Sequence, residues 1–314
     1  MINANMGFRL EGRFRLTAHS TRGERTSAVP FRNLIVNGGL DRIGSGGALL
    51  SECRVGSGGT APAGTDTALV SNVATSTTVQ VSEAYSYHAG PPDYIEMTKT
   101  FRFATGVAAG NLAEVGVGWP AGLFSRALIV DEFDVPTTFT VASDEVLDVQ
   151  YILRVYPPAA DVTGSITLDG TSYGYTIRPC RVSDQTVGYD NWGIGQIFGP
   201  SSVAGMRIGD NAYPYAAGAT IGARTAAPSG SSSATLVTVT TVTYVPGEYK
   251  TRGTWKFELN KANLSGGLSA VIFGHGRYGS GYNGLAWQMV FDSPVPKDAT
   301  KYLAITFDMS WANA

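Results

Sequence analysis

Apolar and polar residues alternate with a period of two along most of the chain, and the 3.6-residue spacing of an amphipathic helix is scarce. The pattern is clearest at the start, where Phe8, Leu10, Phe14 and Leu16 fall on one face of an extended segment and Arg9, Glu11, Arg13 and Arg15 on the other. Residues 17–30 are polar up to Pro30. Phe31–Val36 then leads into Asn37-Gly38-Gly39, a turn signal. Residues 45–66 read as a long Gly/Ser/Thr/Pro loop, and Thr67–Thr75 as a short helical turn. Strands resume with Ile95, Met97, Phe101 and Phe103, then Glu114–Val117 and Phe124–Val130 joined through Trp119-Pro120, then Val146–Tyr156. Pro157-Pro158 ends that strand and marks a domain boundary.

Beyond it, Ile166–Leu168 and Tyr173–Ile177 flank Asp169-Gly170 as a hairpin, and residues 183–232 hold only short pieces. A Thr/Val strand covers Leu236–Val245. Three strong alternations follow: Trp255, Phe257, Leu259; Leu285, Trp287, Met289, Phe291; and Leu303, Ile305, Phe307, Met309, Trp311. The expected fold is all-β, built of antiparallel β-sandwich domains with long Gly/Ser/Thr-rich loops. A length of 314 residues allows one large β domain or two ordinary ones. The expected division is an N-terminal strand and arm (1–30), a first sandwich (31–158) and a second β-rich domain (159–314).

Composition sharpens this. Charged residues are 15% of the chain, against roughly 25% in an average soluble domain. Spread over the roughly 12,500 Å² expected of a compact monomer, that is about one charge per 260 Å². Either uncharged polar residues cover the outside or much of it is buried against other copies, and the second option predicts a homo-oligomer. On this reading Phe8, Leu10, Phe14 and Leu16 are assembly contacts to a neighbouring subunit. No apolar run approaches the roughly 20 residues of a membrane span, and no apolar core follows a basic start as in a secretory signal, so synthesis in a cytoplasm is expected. A net charge of −2 gives no reason to bind nucleic acid, although residues 1–32 carry six Arg against two Glu. Cys53 and Cys180 are too few for a disulfide framework or a zinc site and are expected as free thiols.

The chemical inventory is thin. His19, His88 and His275 lack ligand-spaced partners, neither Gly-x-Ser-x-Gly nor HExxH occurs, and Gly44-Ser-Gly-Gly and Gly56-Ser-Gly-Gly read as turns rather than phosphate loops. No cofactor is implied. Asp131-Glu132-Phe133-Asp134 is either an acidic strand end or a source of carboxylates for glycoside hydrolysis, which needs two acids facing each other across a cleft. The Gly-rich segment 274–284 carries Arg277, Tyr278 and Tyr282. These are either packed residues of a hairpin loop or a stacking platform for a sugar or a protein partner.

Four blocks carry a family resemblance: Phe31-Arg-Asn-Leu-Ile-Val-Asn-Gly-Gly-Leu40; Val55-Gly-Ser-Gly-Gly-Thr-Ala-Pro62 with Asp66-Thr-Ala-Leu69; Glu114-Val-Gly-Val-Gly118 with Leu123-Phe-Ser-Arg-Ala-Leu128; and Leu147-Asp-Val-Gln-Tyr-Ile-Leu-Arg-Val-Tyr-Pro157. Together they resemble tailed-bacteriophage minor tail, baseplate and tail-fibre-associated proteins, closely over 31–158 and loosely beyond, where Val295-Pro-Lys297 through Ser310-Trp311 is similar to the end of such chains. Residues 183–235 have no counterpart in it. The resemblance implies a non-enzymatic structural component of the virion tail. It also implies other tail proteins and further copies of itself as partners, with a homotrimer as the expected number, and contact with a host surface glycan or protein through the C-terminal half. It transfers no catalytic residue. The alternatives are a glycan-binding or glycan-degrading tail protein and an unrelated β-rich lectin.

Overall fold

Strand pairing in the computed structural model confirms an all-β protein, with 54% of the chain in strands and 4% in helix. The structure describes residues 2–27, 29–185, 192–198, 205–208, 211–232, 235–276 and 285–314. The first part of the chain forms β1 (Ile2–Ser20), β2 (Gly23–Thr26), β3 (Phe31–Arg32), β4 (Leu34–Ile35), helix α1 (Asn37–Ser45), β5 (Glu52–Gly56), β6 (Asn72–Ser76), β7 (Val79–His88) and β8 (Tyr94–Phe103). Then come β9 (Gly110–Leu112), β10 (Glu114–Trp119), β11 (Gly122–Leu128), β12 (Phe139–Val141), β13 (Val146–Tyr156), β14 (Val162–Leu168) and β15 (Thr171–Pro179). The remainder comprises the short helix α2 (Gly195–Phe198), β16 (Arg207–Ile208), β17 (Asn211–Ala216), β18 (Thr235–Leu236), β19 (Thr238–Thr241), β20 (Lys250–Phe257), β21 (Leu268–Gly276), β22 (Leu285–Val295) and β23 (Leu303–Asn313).

The largest sheet runs β19-β20-β23-β1-β13-β8-β7, with β2 and β3 also pairing with β1. Register decides its two faces, because directly paired residues point the same way. Phe14 is opposite Tyr151, Leu16 opposite Val149, Met6 opposite Met309 and Phe8 opposite Trp311, so these apolar residues form one continuous inner face. A second sheet, β4-β11-β10-β5-β6, covers part of that face through Phe124 against Tyr151 (6.4 Å between ring centres). A third sheet, β14-β15-β22-β21-β17-β18, covers another part through Phe273, stacked on Phe307 at 3.9 Å and against Trp255 at 4.9 Å. The result is a sandwich in which one long sheet is backed by two shorter ones. Its opposite face holds the charges, as ion pairs Arg13–Glu11, Arg102–Asp148, Arg154–Glu96 and Arg252–Asp308.

Several sequence-based expectations are corrected. Residues 1–30 are no arm: β1 is the middle strand of the largest sheet, and Phe8, Leu10, Phe14 and Leu16 lie buried in the chain's own core, which removes them as assembly contacts. Nor does Pro157-Pro158 separate two hydrogen-bonded units. The chain crosses between the largest and third sheets repeatedly: β14–β18 begin the third, β19 and β20 return to the largest, β21 and β22 complete the third, and β23 joins the largest again, parallel to β1, the one parallel pair in an otherwise antiparallel assembly of described strands. Asn37-Gly38-Gly39 opens α1 instead of a turn, because Leu40 and Ile43 bury on one side of it and this packing outweighs weak local propensity. The helical reading of Thr67–Thr75 fails because β5 offers Asn72–Ser76 an edge to pair with. Leu236–Val245 is split, since Leu236 pairs with β17 while Thr238 pairs with β20, and the chain changes sheets at buried Val237. Leu259 lies beyond the end of β20 and is exposed. The Asp169-Gly170 hairpin stands as expected: both residues have positive φ (49° and 79°), the geometry of a tight turn that matches strand twist.

The position of Phe14 yields a test. Fully buried between Tyr151 and Phe31, it should cost about 3–5 kcal/mol on truncation to Ala, read as a lower urea midpoint. Arg13→Ala, on the solvated face, should cost less than about 1 kcal/mol. An assembly residue would instead change the mass in solution and leave unfolding of the single chain untouched.

Candidate functional site

The most developed polar structure in the molecule is a buried latch on the second sheet. Glu114, at the start of β10, has no exposed surface, and Arg126, on the neighbouring β11, is 1% exposed. Arg126 donates through Nε to Glu114 Oε2 (2.9 Å), through Nη1 to Asp66 Oδ2 (2.7 Å) and through Nη2 to the carbonyl of Thr60 (2.6 Å). Glu114 also accepts the backbone N–H groups of Gly58 (3.1 Å), Val70 (3.1 Å) and Ser71 (2.7 Å). A charge pair this deep persists only when its remaining hydrogen-bonding capacity is filled, and here backbone from a single long loop fills it. Gly58 is required by close approach, because a Cβ there would collide with the Glu114 carboxylate. The latch therefore holds residues 57–71, which contain no regular structure of their own, against the sheet.

Three of the four blocks that carried the family resemblance meet here. Asp66 comes from the second block and Glu114 and Arg126 from the third, and they share one network, while from the first block Asn37 donates its N–H to Gly64 (2.7 Å) and Val36 to Phe124 (3.0 Å). Spaced far apart in sequence, they describe one unit in space.

Next to the latch lies a neutral flank. β6 is the outer strand of its sheet and β7 the outer strand of the largest sheet, and only Thr77-Thr78 separates them. From Val55 to Pro92 the chain has two charged residues, Asp66 and Glu83. Both are paired internally, Asp66 with Arg126 and Glu83 with Lys99 (2.7 Å). Val70, Val73, Val79 and Val81 are between 41% and 57% exposed along this flank.

A groove of about 490 Å³ opens on the third sheet, between the β14–β15 turn and the β22–β23 connection. Leu168, Val295 and Leu303 give it apolar surface, Tyr173 and Tyr302 line it, and Lys301 meets Asp169 there at 2.5 Å. Lys297, nearly buried, donates to the carbonyl of Glu258 (2.8 Å) and to Asn263 Oδ1 (2.9 Å), and desolvation holds its pKa below the ordinary lysine value. These residues escaped sequence reasoning. The Asp169-Gly170 turn was legible, but not its meeting with residues 295–303, over 120 positions away.

The other named residues are placed as follows. Arg277, Tyr278 and Tyr282 lie outside the described residues, as does the side chain of His275. His19 sits between Glu24 and Asp148, each at 3.0 Å, on the charged face, and His88 stacks on Tyr94 (4.6 Å). Asp131 is spent on its own turn, accepting the N–H groups of Phe133 and Val135, and Glu132 and Asp134 are exposed at the tip. Cys53 and Cys180 are both buried, and burial pushes the Cys53 pKa up, away from the reactive thiolate. Among the described residues no group of three or more His, Cys, Asp or Glu is placed to hold a metal, and no helix is long and apolar enough to cross a membrane. No protein-family model, curated protein or solved structure matches this chain.

Arg126→Met leaves Glu114 buried and unpaired and should cost about 3–5 kcal/mol by denaturant unfolding, with part of the loss recovered in the Arg126→Met/Glu114→Gln double variant, which removes the buried charge and keeps an acceptor for the loop N–H groups. The latch also predicts acid sensitivity. Burial alone would raise the Asp66 pKa, but the Ala63 N–H and the Arg126 guanidinium outweigh it, so the carboxyl sits below its usual range. A depressed carboxyl contributes stability that is complete above the ordinary Asp value, about 3.9, and is lost as pH falls through the folded value. Asp66→Asn should therefore flatten the drop in urea midpoint between pH 6 and pH 3.

Proposed function

We propose that this chain is a non-enzymatic structural component of a bacteriophage tail (a fibre, tip or baseplate protein), made in the host cytoplasm and assembled as a homo-oligomer with other tail proteins. The observation that carries the reading is the neutral flank. Residues 55–92, with no unpaired Asp, Glu, Lys or Arg, four exposed valines and the outer strands of two sheets, are better suited to a neutral partner than to free solvent. A second copy supplies such a surface by symmetry: neutral meets neutral, and an edge strand of one copy completes the hydrogen bonds of the other. β1, already paired on both sides, is not available for this. The latch serves this reading by holding residues 57–71, part of that flank, in one arrangement. The trimer number and the virion tail rest on the resemblance.

Glycan cleavage has less support. Glu132 and Asp134 sit exposed on one turn, whereas paired-carboxylate hydrolysis needs two acids facing each other across a cleft.

Sedimentation equilibrium at micromolar protein should give a multiple of 33.1 kDa, and Val73→Lys/Val81→Lys should shift the chain to monomer while the unfolding free energy of the single chain changes by less than about 1 kcal/mol. A wild-type monomer over the whole concentration range would defeat the assembly reading. Labelled antibody against the chain should decorate tails of intact particles, and host surface polysaccharide incubated with the protein should release no new reducing ends.

A further inference from the structure

The groove on the third sheet is built like a ligand site, and it is distinct from the neutral flank. At about 490 Å³ it falls in the size range of small-molecule sites, large enough for a short oligomer of rings. Tyr302 is 63% exposed, unusual for a side chain of that area, yet it is not loose: the Lys256 ammonium lies 4.8 Å from the ring centre and holds it in place. The two walls are fixed in advance. One is the tight Asp169-Gly170 turn, and the other is the β22–β23 connection, pinned by Lys297 beneath it and by Asp298, which accepts the Thr300 N–H (2.8 Å) and hydroxyl (2.6 Å). A preformed site loses little ordering entropy on binding.

Charge selects the ligand class. The two lysines that line the groove and the one that touches its tyrosine each have a carboxylate near: Lys301 has Asp169, Lys256 has Glu258, and Lys297 has the nearby charges of Asp298 and Glu258. With no net charge to satisfy, an ionic ligand gains nothing. What the groove does present is a strong donor beside a strong acceptor, Lys301 Nζ and Asp169 Oδ2 at 2.5 Å, next to an exposed aromatic face and apolar floor. Adjacent hydroxyls on a sugar ring each donate and accept, and the C–H face of the same ring is apolar with slightly positive hydrogens that favour an aromatic face. We propose that this groove binds a neutral saccharide, with one ring on Tyr302 and a vicinal hydroxyl pair bridging Asp169 and Lys301.

Isothermal titration of the full chain with neutral trisaccharides of glucose, galactose and mannose, and with trigalacturonate as the charged control, tests this. At least one neutral trisaccharide should bind. Tyr302→Ala and Asp169→Asn/Lys301→Met should each weaken it by about tenfold or more, and Tyr302→Phe should keep most of the affinity. These side chains are exposed, so the urea midpoint should be unchanged, which separates lost binding from lost fold. Absence of binding by all three neutral sugars at millimolar concentration, equal binding of trigalacturonate, or binding indifferent to Tyr302→Ala would each overturn the proposal. The inference does not depend on the particle reading: a chain that assembles but binds no sugar loses only the groove, and a monomer that binds keeps it.

Discussion

Pairing of β1 on both sides is the constraint on which the architecture rests. Along residues 9–19 the strand bonds antiparallel to β13, and along residues 2–10 parallel to β23, so residues 2–10 and 305–313 lie side by side near the centre of the largest sheet. The closure is reinforced beyond the ladder. Ala314 donates its N–H to Leu10 (2.8 Å), Trp311 donates Nε1 to the carbonyl of Leu40 (2.8 Å), and Asn313 donates to that of Ile35 (3.0 Å). Remove β1 and β13 and β23 each present an unpaired edge above an exposed apolar face. Because the pairing joins residues about 300 positions apart in sequence, the sheet closes only once both segments are in place, and such long-range closure makes folding slow.

The same sheet explains how a chain with few charges distributes them. Its outer face concentrates ion pairs on β1, β8, β13, β20 and β23, where they keep one broad surface solvated. Exposed pairs of this kind add little stability, so their main effect is on which surfaces resist contact. The consequence is a molecule with sides of different character: a charged sheet face, a neutral edge at β6 and β7, and a groove rim where lysines and carboxylates balance.

Glu114 and Arg126 show a different use of charge. Their burial gains little by itself, since desolvation offsets most of the attraction. Its effect is specific: the carboxylate takes three backbone N–H groups and the guanidinium takes Thr60 and Asp66, so a loop with little apolar content acquires one arrangement. The irregular backbone beside the neutral flank is thus held by polar contacts where apolar ones are lacking.

The strands were legible because alternation is a local property. Val146–Tyr156, Leu303–Trp311 and the Asp169-Gly170 hairpin follow from side chains pointing to opposite faces and from the φ a tight turn demands. Failures came where a distant partner outweighed local preference, as at Asn37-Gly38-Gly39, drawn into a helix by the burial of Leu40 and Ile43, and at Thr67–Thr75, drawn into a strand by the free edge of β5. Alternation showed that Phe8, Leu10, Phe14 and Leu16 needed a partner surface, but not whose. Only the tertiary structure assigned that surface to Tyr151, Trp311 and the rest of the same chain, and only it brought Asp66 to Arg126 and Asp169 to Lys301. Local sequence sets which face of a strand must be buried, whereas pairing across tens to hundreds of residues is decided by which combination of edges and faces leaves the fewest apolar groups in water and the fewest backbone groups unpaired.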